Sequence, residues 1–179
     1  MPAEITTVES RLIYENPWLR LREDRIRRAD GSPGLYSVVE KADFAVVVPV
    51  EAGRIHLVEQ YRYPIGTRAW EFPQGMSDPG DADLVACARR ELLEETGLQA
   101  ARLVEAGSLL LAAGFCTQAY SIVLATGLSP GPAALESEEQ GLITRDFALA
   151  EFEAMLRDGT IRDATTVAAF GLLRVKGLI

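Results

Sequence analysis

Between Asp83 and Leu98 the chain reads Asp-Leu-Val-Ala-Cys-Ala-Arg-Arg-Glu-Leu-Leu-Glu-Glu-Thr-Gly-Leu, a helix whose two sides make opposing demands. At roughly 100° of turn per residue, Leu84, Val85, Ala88, Leu92 and Thr96 fall on a stripe that must face a core. Glu91 and Glu95 are i,i+4 neighbours at the margin of that stripe, and Glu94 is displaced from them by about one side-chain width. All three project into one arc. Asp81 or Asp83 can cap the first turn, and Gly97 suits the left-handed residue that ends a helix. The fold must therefore bury this helix along one side and keep carboxylates at the rim of its core.

Like charges at i,i+4 cost a few tenths of a kcal/mol, so Glu91, Glu94 and Glu95 call for a cation. Two arrangements supply one. The glutamates can lie at the surface and pair with Arg89 and Arg90, as glutamates on helices often do. Alternatively a divalent ion holds them, since magnesium takes oxygen ligands and is commonly bound by one or two carboxylates together with substrate phosphates. The flanking residues favour the second arrangement.

The stretch Gly75 to Leu98 resembles the Nudix box, which runs Gly, five residues, Glu, seven residues, then Arg-Glu-hydrophobe-any-Glu-Glu-any-Gly-hydrophobe. Arg90, Glu91, Leu92, Glu94, Glu95, Gly97 and Leu98 match the second half at every position. The first half departs from it. Counting on from Gly75 reaches Asp81, one residue too far from Arg90, while counting back from Arg90 reaches Ala82. Asp81 or Asp83 is the substitute for the missing glutamate. Gln60-Tyr61-Arg62-Tyr63-Pro64, Trp70-Glu71-Phe72-Pro73-Gln74-Gly75, Asn16-Pro17-Trp18, Asp30-Gly31 and the segment Asp158 to Thr166 look like the ADP-ribose pyrophosphatase branch of that family. The resemblance covers most of the chain.

Composition narrows the class independently. At 179 residues, 48% hydrophobic and 25% charged, the chain fits one globular domain with a substantial core. No apolar stretch approaches the roughly 20 residues that span a bilayer, and the N-terminus lacks a basic region followed by an apolar one. We therefore expect a soluble, cytoplasmic protein with no membrane contact. Cys87 and Cys116 have neither metal nor redox spacing, and Cys87 is expected to pack quietly on the box helix. The single His56 stands opposite Ile55 and Leu57 in an alternating run, which suits a structural role and excludes a multi-histidine metal site. A formal charge of −8 argues against gripping nucleic acid by its phosphates. The arginines of Arg20 to Arg28 are interrupted by Glu23 and Asp24 and read as a solvated strand face.

Leu19 and Leu21 alternate with Arg20 and Arg22 as on a half-buried strand, Asp30 to Gly34 reads as a hairpin turn, and Leu35 to Glu40 returns. Phe44 to Val50 reads as a central strand buried on both faces, followed by a turn at Glu51 to Gly53 and a strand over Arg54 to Gln60. A loop covers Pro73 to Gly80. Further strands are expected near Leu103 to Leu111, Ala119 to Ala125 and Leu142 to Phe147, with helices around Ala150 to Arg157 and from Asp163. The pattern predicts an α/β fold with a mixed sheet between helices. It agrees with the Nudix-type α/β/α sandwich, preceded by an N-terminal antiparallel β segment, that the resemblance implies. Residues 1–40 would form that segment and serve dimerisation, and residues 41–179 the hydrolase domain.

Two metal ions can neutralise phosphoryl oxygens, position a water and stabilise a leaving phosphate. On that basis Glu91 and Glu95 are the expected principal ligands, with Glu94 contributing directly or through water and Arg90 orienting the glutamates. The resemblance adds the backbone carbonyl of Gln74 and an extra carboxylate from the loop holding Glu136, Glu138 and Glu139, with Glu138 or Glu139 preferred. It also suggests Arg62 for a bidentate contact to phosphate or ribose and Glu71 for ribose hydroxyls or support of the metal site. Trp18, Tyr36 and Trp70 are candidate stacking faces for a base. The expected activity is magnesium-dependent hydrolysis of a nucleotide sugar, first ADP-ribose to AMP and ribose 5-phosphate, with manganese as a substitute ion and a homodimer as the assembly. Alternatives are GDP-mannose, another sugar nucleotide or a dinucleoside polyphosphate. A non-catalytic nucleotide sensor ranks lower, because such modules lose box carboxylates that are present here.

Overall fold

The uninterrupted apolar run at Phe44 becomes β4 (Phe44–Glu51), the centre of a seven-stranded mixed sheet. The computed structural model describes residues 3–131 and 141–179. Strand β4 runs parallel to β9 (Ala119–Pro130) and antiparallel to β5 (Arg54–Arg62) and β7 (Gln74–Met76). The sheet is completed by β6 (Thr67–Glu71) on β5, β10 (Ile143–Ala148) on the other edge of β5, and β8 (Leu98–Leu110) beyond β9.

Period-two alternation sorts the buried residues of β4 to two sides. Ala45 and Val47 join Val123, Cys87, Ala88 and Leu92 in one cluster, beneath α1 (Leu84–Thr96). Phe44, Val46 and Val48 join Ile122, Phe152, Phe170 and Leu173 in another, beneath α2 (Leu149–Arg157) and α3 (Ala164–Val175). The layers are thus helix, sheet, helix, as expected. His56 lies in β5 opposite Asp146 of β10. Among the described residues no helix is long and apolar enough to cross a membrane.

Pairing along β4 is divided. It meets β5 only at Val50 and Glu51, next to the hairpin, whereas Phe44, Ala45 and Val46 meet Met76, Gly75 and Gln74 of β7. The sequence reading left residues 73–80 as a loop and assigned neither β6 nor β7. Both are short, and the partners of β7 lie about thirty residues earlier in the chain, so no local pattern marks it.

That sheet, with its helices, occupies the unit Phe44–Leu109 and Tyr120–Ile179; the other unit comprises Met1–Asp43 and Leu110–Ala119. In the latter, β1 (Ile5–Asn16), β2 (Leu19–Arg28) and β3 (Pro33–Glu40) form an antiparallel sheet in that order. Asn16 Oδ1 closes the first turn by accepting from the N–H groups of Trp18 and Leu19, both at 2.9 Å. Strand β1, which the sequence reading did not assign, is exposed over nearly its whole length. The arginines of β2 pair with acids, Arg25 with Glu9 and Arg22 with Asp24 and Glu40, as a solvated strand face requires.

The anchoring of α1 gives a measurable ordering. Leu92 is buried in the core and Asp83 caps the helix by accepting from Ala86 N. Leu92→Ala should cost about 2–5 kcal/mol and Asp83→Ala about 1 kcal/mol in urea unfolding; the reverse order would contradict this placement of the helix.

Candidate active site

Helix α1 is bounded as its sequence requires. Asp83 provides the N-cap, and Gly97 adopts a φ of 67° while its N–H returns to Leu93 O. Between these ends Glu91 and Glu95 are only 5% and 4% exposed. They are buried because β7 lies against them. A Cβ on Gly75 would overlap the Glu91 carboxylate, so only glycine permits this approach. Its neighbour Gln74 donates its backbone N–H to Glu95 Oε2 at 3.0 Å. Successive residues of one short strand therefore each meet one carboxylate of the helix.

Glu94 is different. It lies at the flank of the pair, half-buried, and Arg90 joins it to them. Arg90 Nη1 is 2.8 Å from both Glu91 Oε1 and Glu94 Oε2. Its Nη2 donates to Met76 O at 2.9 Å and to Asp81 Oδ2 at 3.1 Å. Burial alone would lower the Arg90 pKa, but the hydrogen bond to Asp81 and the charges of Glu91 and Glu94 outweigh it and raise the pKa instead. The Arg90 hydrogen bond conversely holds Asp81 below the usual carboxylate value. Of the two sequence candidates for the altered acidic position, Asp81 thus enters the charge network and Asp83 serves as the cap.

A second network begins at Glu71, 2% exposed at the end of β6. Burial pushes its pKa up, opposed by hydrogen bonds and charge from Arg62. Arg62 Nε and Nη2 are both 2.9 Å from Glu71 Oε1, and Gln74 Nε2 donates to Glu71 Oε2 at 2.8 Å. The edge of the guanidinium formed by Nε and Nη2 faces Glu71. Gln74 consequently links Glu71 to Glu95.

Other residues play parts that sequence reasoning missed. Thr166 Oγ1 accepts from Phe72 N at 2.9 Å, and Asp163 caps α3 through Thr166 N, so the late Asp163 to Thr166 segment supports the backbone just after Glu71. Thr144 Oγ1 donates to Glu95 O at 2.9 Å. The Cys87 thiol donates to Gly75 O and is pushed up to about 12, chiefly by burial and then by Glu91, which leaves it without thiolate reactivity near neutrality. Apart from the Asp163 cap, which is local, these contacts have no local signal, because their partners are distant in sequence.

The remaining candidates are dispersed. Trp70 packs edge-on against Phe147, ring centroids 5.0 Å apart, and belongs to the core. Trp18 and Tyr36 are exposed residues of the other unit. Glu136, Glu138 and Glu139 lie outside the described residues. The described residues flanking that stretch are tied down by Gly131 N to Gly97 O at 2.6 Å and Arg68 Nη2 to Gly141 O at 2.8 Å.

Among the described residues no three His, Cys, Asp or Glu side chains gather as a ready metal cluster; Arg90 stands among the acids instead. The donor chemistry nevertheless fits a hard divalent ion. Glu91 and Glu95 offer only oxygen atoms, on one helix face, against a strand whose Gly75 has no Cβ to fill the space.

The chain is similar to known proteins. Residues 40–165 match the NUDIX domain and residues 5–39 the nucleoside diphosphate sugar hydrolase N-terminal domain. ADP-ribose pyrophosphatase of Mycobacterium tuberculosis is 32% identical over 96% of this chain and 83% of its own length. The methanol dehydrogenase activator of Bacillus methanolicus is 26% identical over 97% of this chain and 94% of its own. In three dimensions, a crystal structure of an ADP compounds hydrolase superimposes with a TM-score of 0.87 over 98% of this chain and 96% of that one, at 23% identity. With a box helix held by Gly75 and Arg90 and a family match over most of its length, the chain belongs to the Nudix family and is a pyrophosphohydrolase of that family.

Proposed function

We propose that the chain hydrolyses the pyrophosphate bond of ADP-ribose, giving AMP and ribose 5-phosphate, with magnesium as the activating ion and manganese as a substitute. The observation that carries this reading is the buried pair Glu91 and Glu95 against Gln74 and Gly75. The kinship with the mycobacterial ADP-ribose pyrophosphatase supports the choice of substrate. A divalent ion bound there would supply positive charge to the phosphoryl oxygens and to the departing phosphate.

The chain's own residues divide the remaining work. Glu91 and Glu95 hold the ion, Glu94 adds an oxygen directly or through water, and the Gln74 carbonyl completes the set. Arg90 keeps Glu91 and Glu94 in register. Glu71, buried and anchored by Arg62 and Gln74, backs up the metal site rather than meeting ribose hydroxyls, and Arg62 Nη1 lies outside the Glu71 pairing, where it can reach a phosphate. Trp18 and Tyr36 offer exposed rings for a base, and Glu138 or Glu139 supplies the carboxylate that activates water. Strand β1, an edge strand with Val8, Leu12 and Tyr14 exposed, is the surface we assign to a homodimer.

A panel of nucleoside diphosphate derivatives with magnesium tests the chemistry. AMP from ADP-ribose is the expected product, whereas preferential GMP from GDP-mannose would replace the substrate, and nucleotide binding without turnover would make the chain a sensor. Glu95→Gln keeps the shape and should lower kcat on the order of 100-fold, about 2.7 kcal/mol of barrier. Near-wild-type turnover at saturating magnesium would remove Glu95 from the site.

Arg90 depends on Asp81, which makes stability sensitive to acid. Because the Asp81 pKa is lowered below 3.8 in the folded chain, its ionised form contributes stability above that value, and the contribution is lost as pH falls through the lowered one. The urea midpoint should favour wild type over Asp81→Asn at pH 7 and converge with it below 3.8; a constant gap would assign the effect to packing. The assembly is tested by sedimentation, which should give about twice the 19.5 kDa of one chain. A fully active monomer at micromolar concentration would exclude the dimer.

A further inference from the structure

We infer that the Gln74 side chain is a positioning residue, tying the buried Glu71 carboxylate to the same backbone segment whose N–H holds Glu95. The inference rests on the reading above that Glu95 helps to hold a divalent ion. One residue touches acids from two elements: Gln74 Nε2 donates to Glu71 Oε2 at 2.8 Å, and Gln74 N donates to Glu95 Oε2 at 3.0 Å. Glu71 is fixed from its other oxygen by Arg62, at 2.9 Å. The Gln74 peptide is therefore held in the sheet by its pairing with Val46, at its N–H by Glu95, and at its side chain by the Arg62–Glu71 pair.

The fold alone does not ask for glutamine at this place. Strand pairing uses the backbone, so an apolar side chain of equal length would serve β7. What an amide adds is a donor without charge. A carboxylate at position 74 would repel Glu71, and an ammonium would compete with Arg62 for it. Both acids are almost wholly buried, where water does not replace a lost donor. Outer partners of this kind commonly alter the metal affinity of the ligands they orient by 10–100-fold.

Gln74→Met keeps the length and the backbone N–H and removes the side-chain donor. Magnesium is titrated calorimetrically into nucleotide-free wild type, Q74M, E71A and the double variant, and the melting temperature of each metal-free protein is recorded. The expected result is about 10-fold weaker magnesium binding in Q74M and no further weakening when Q74M is added to E71A, since the tie is already cut. Unchanged magnesium affinity in Q74M, with only its melting temperature lowered, would make Gln74 a purely structural residue and overturn the inference. Equal losses in both backgrounds would also overturn it, because Gln74 would then act without Glu71. Should E71A fail to fold, E71Q replaces it; its neutral amide keeps a weaker bond, and the Q74M effect must shrink there. A wild-type protein that takes up no magnesium overturns the reading of Glu95 itself, an outcome distinct from a Q74M variant that binds as well as a metal-binding wild type.

Discussion

The approach of Gly75 to the Glu91 carboxylate governs the architecture of the site. No side chain intervenes between strand and helix at that point, because a Cβ would overlap the acid. The closeness removes water from Glu91 and, one residue away along the strand, from Glu95. Desolvating a carboxylate costs several kcal/mol even after relaxation, so the contact is sustainable only with donors on the acids. Gln74 N–H provides one and Arg90 another. Arg90 is held in turn by the Met76 carbonyl at the end of β7 and by Asp81 from the segment that connects β7 to α1. The glycine and the arginine of the box are thus two ends of one requirement.

The divided pairing of β4 explains why this contact lies over the middle of the sheet rather than at an edge. Because β4 leaves β5 after the hairpin and takes β7 as its partner at its other end, the Glu71 to Met76 segment is drawn alongside the most deeply buried strand. Phe72 follows Glu71 there and is fully buried, with its N–H on Thr166. The carboxylates are therefore attached to elements that cannot move without opening the core. Preorganisation of this kind is what a reaction limited by charge placement needs.

Legibility of the sequence followed the range of the interactions. Strand β4 and helix α1 could be read because periods of two and of 3.6 record burial directly, and the caps at Asp83 and Gly97 are local signals. Strand β1 could not, although Ile5, Thr6, Thr7 and Val8 favour extended backbone, because it has no buried face to impose alternation. Within the candidate site the box supplied Arg90, Glu91, Glu94 and Glu95; Arg90 Nη1 touches Glu91 and Glu94, while Gly75 and Gln74 of β7 meet Glu91 and Glu95. The choice between Asp81 and Asp83 was undecided by spacing, since it depends on where the Asp78 to Asp81 turn folds back; that turn is closed by Asp78 N to Asp81 Oδ2 at 2.9 Å. Thr144 and Thr166 were invisible for the same reason, their partners lying far away in the chain.

Charge around the site bears on how an anionic substrate can approach. Among the described residues the Arg90 guanidinium meets Asp81, Glu91 and Glu94, and that of Arg62 meets Glu71. Arg90 is engaged by three of the acids, and Arg62 turns its paired edge to Glu71. Neither is free to neutralise a diphosphate as a whole, and the chain carries a formal charge of −8 besides. A pyrophosphate meeting this surface alone would be repelled over the roughly 8–10 Å that screening allows at moderate ionic strength. Under the proposed function the substrate and its cation must therefore arrive at the same place, because a divalent ion reverses the sign of the local field. Excess carboxylate, which would be a defect in an anion-binding site built from arginines, becomes the feature that makes diphosphate binding conditional on the ion.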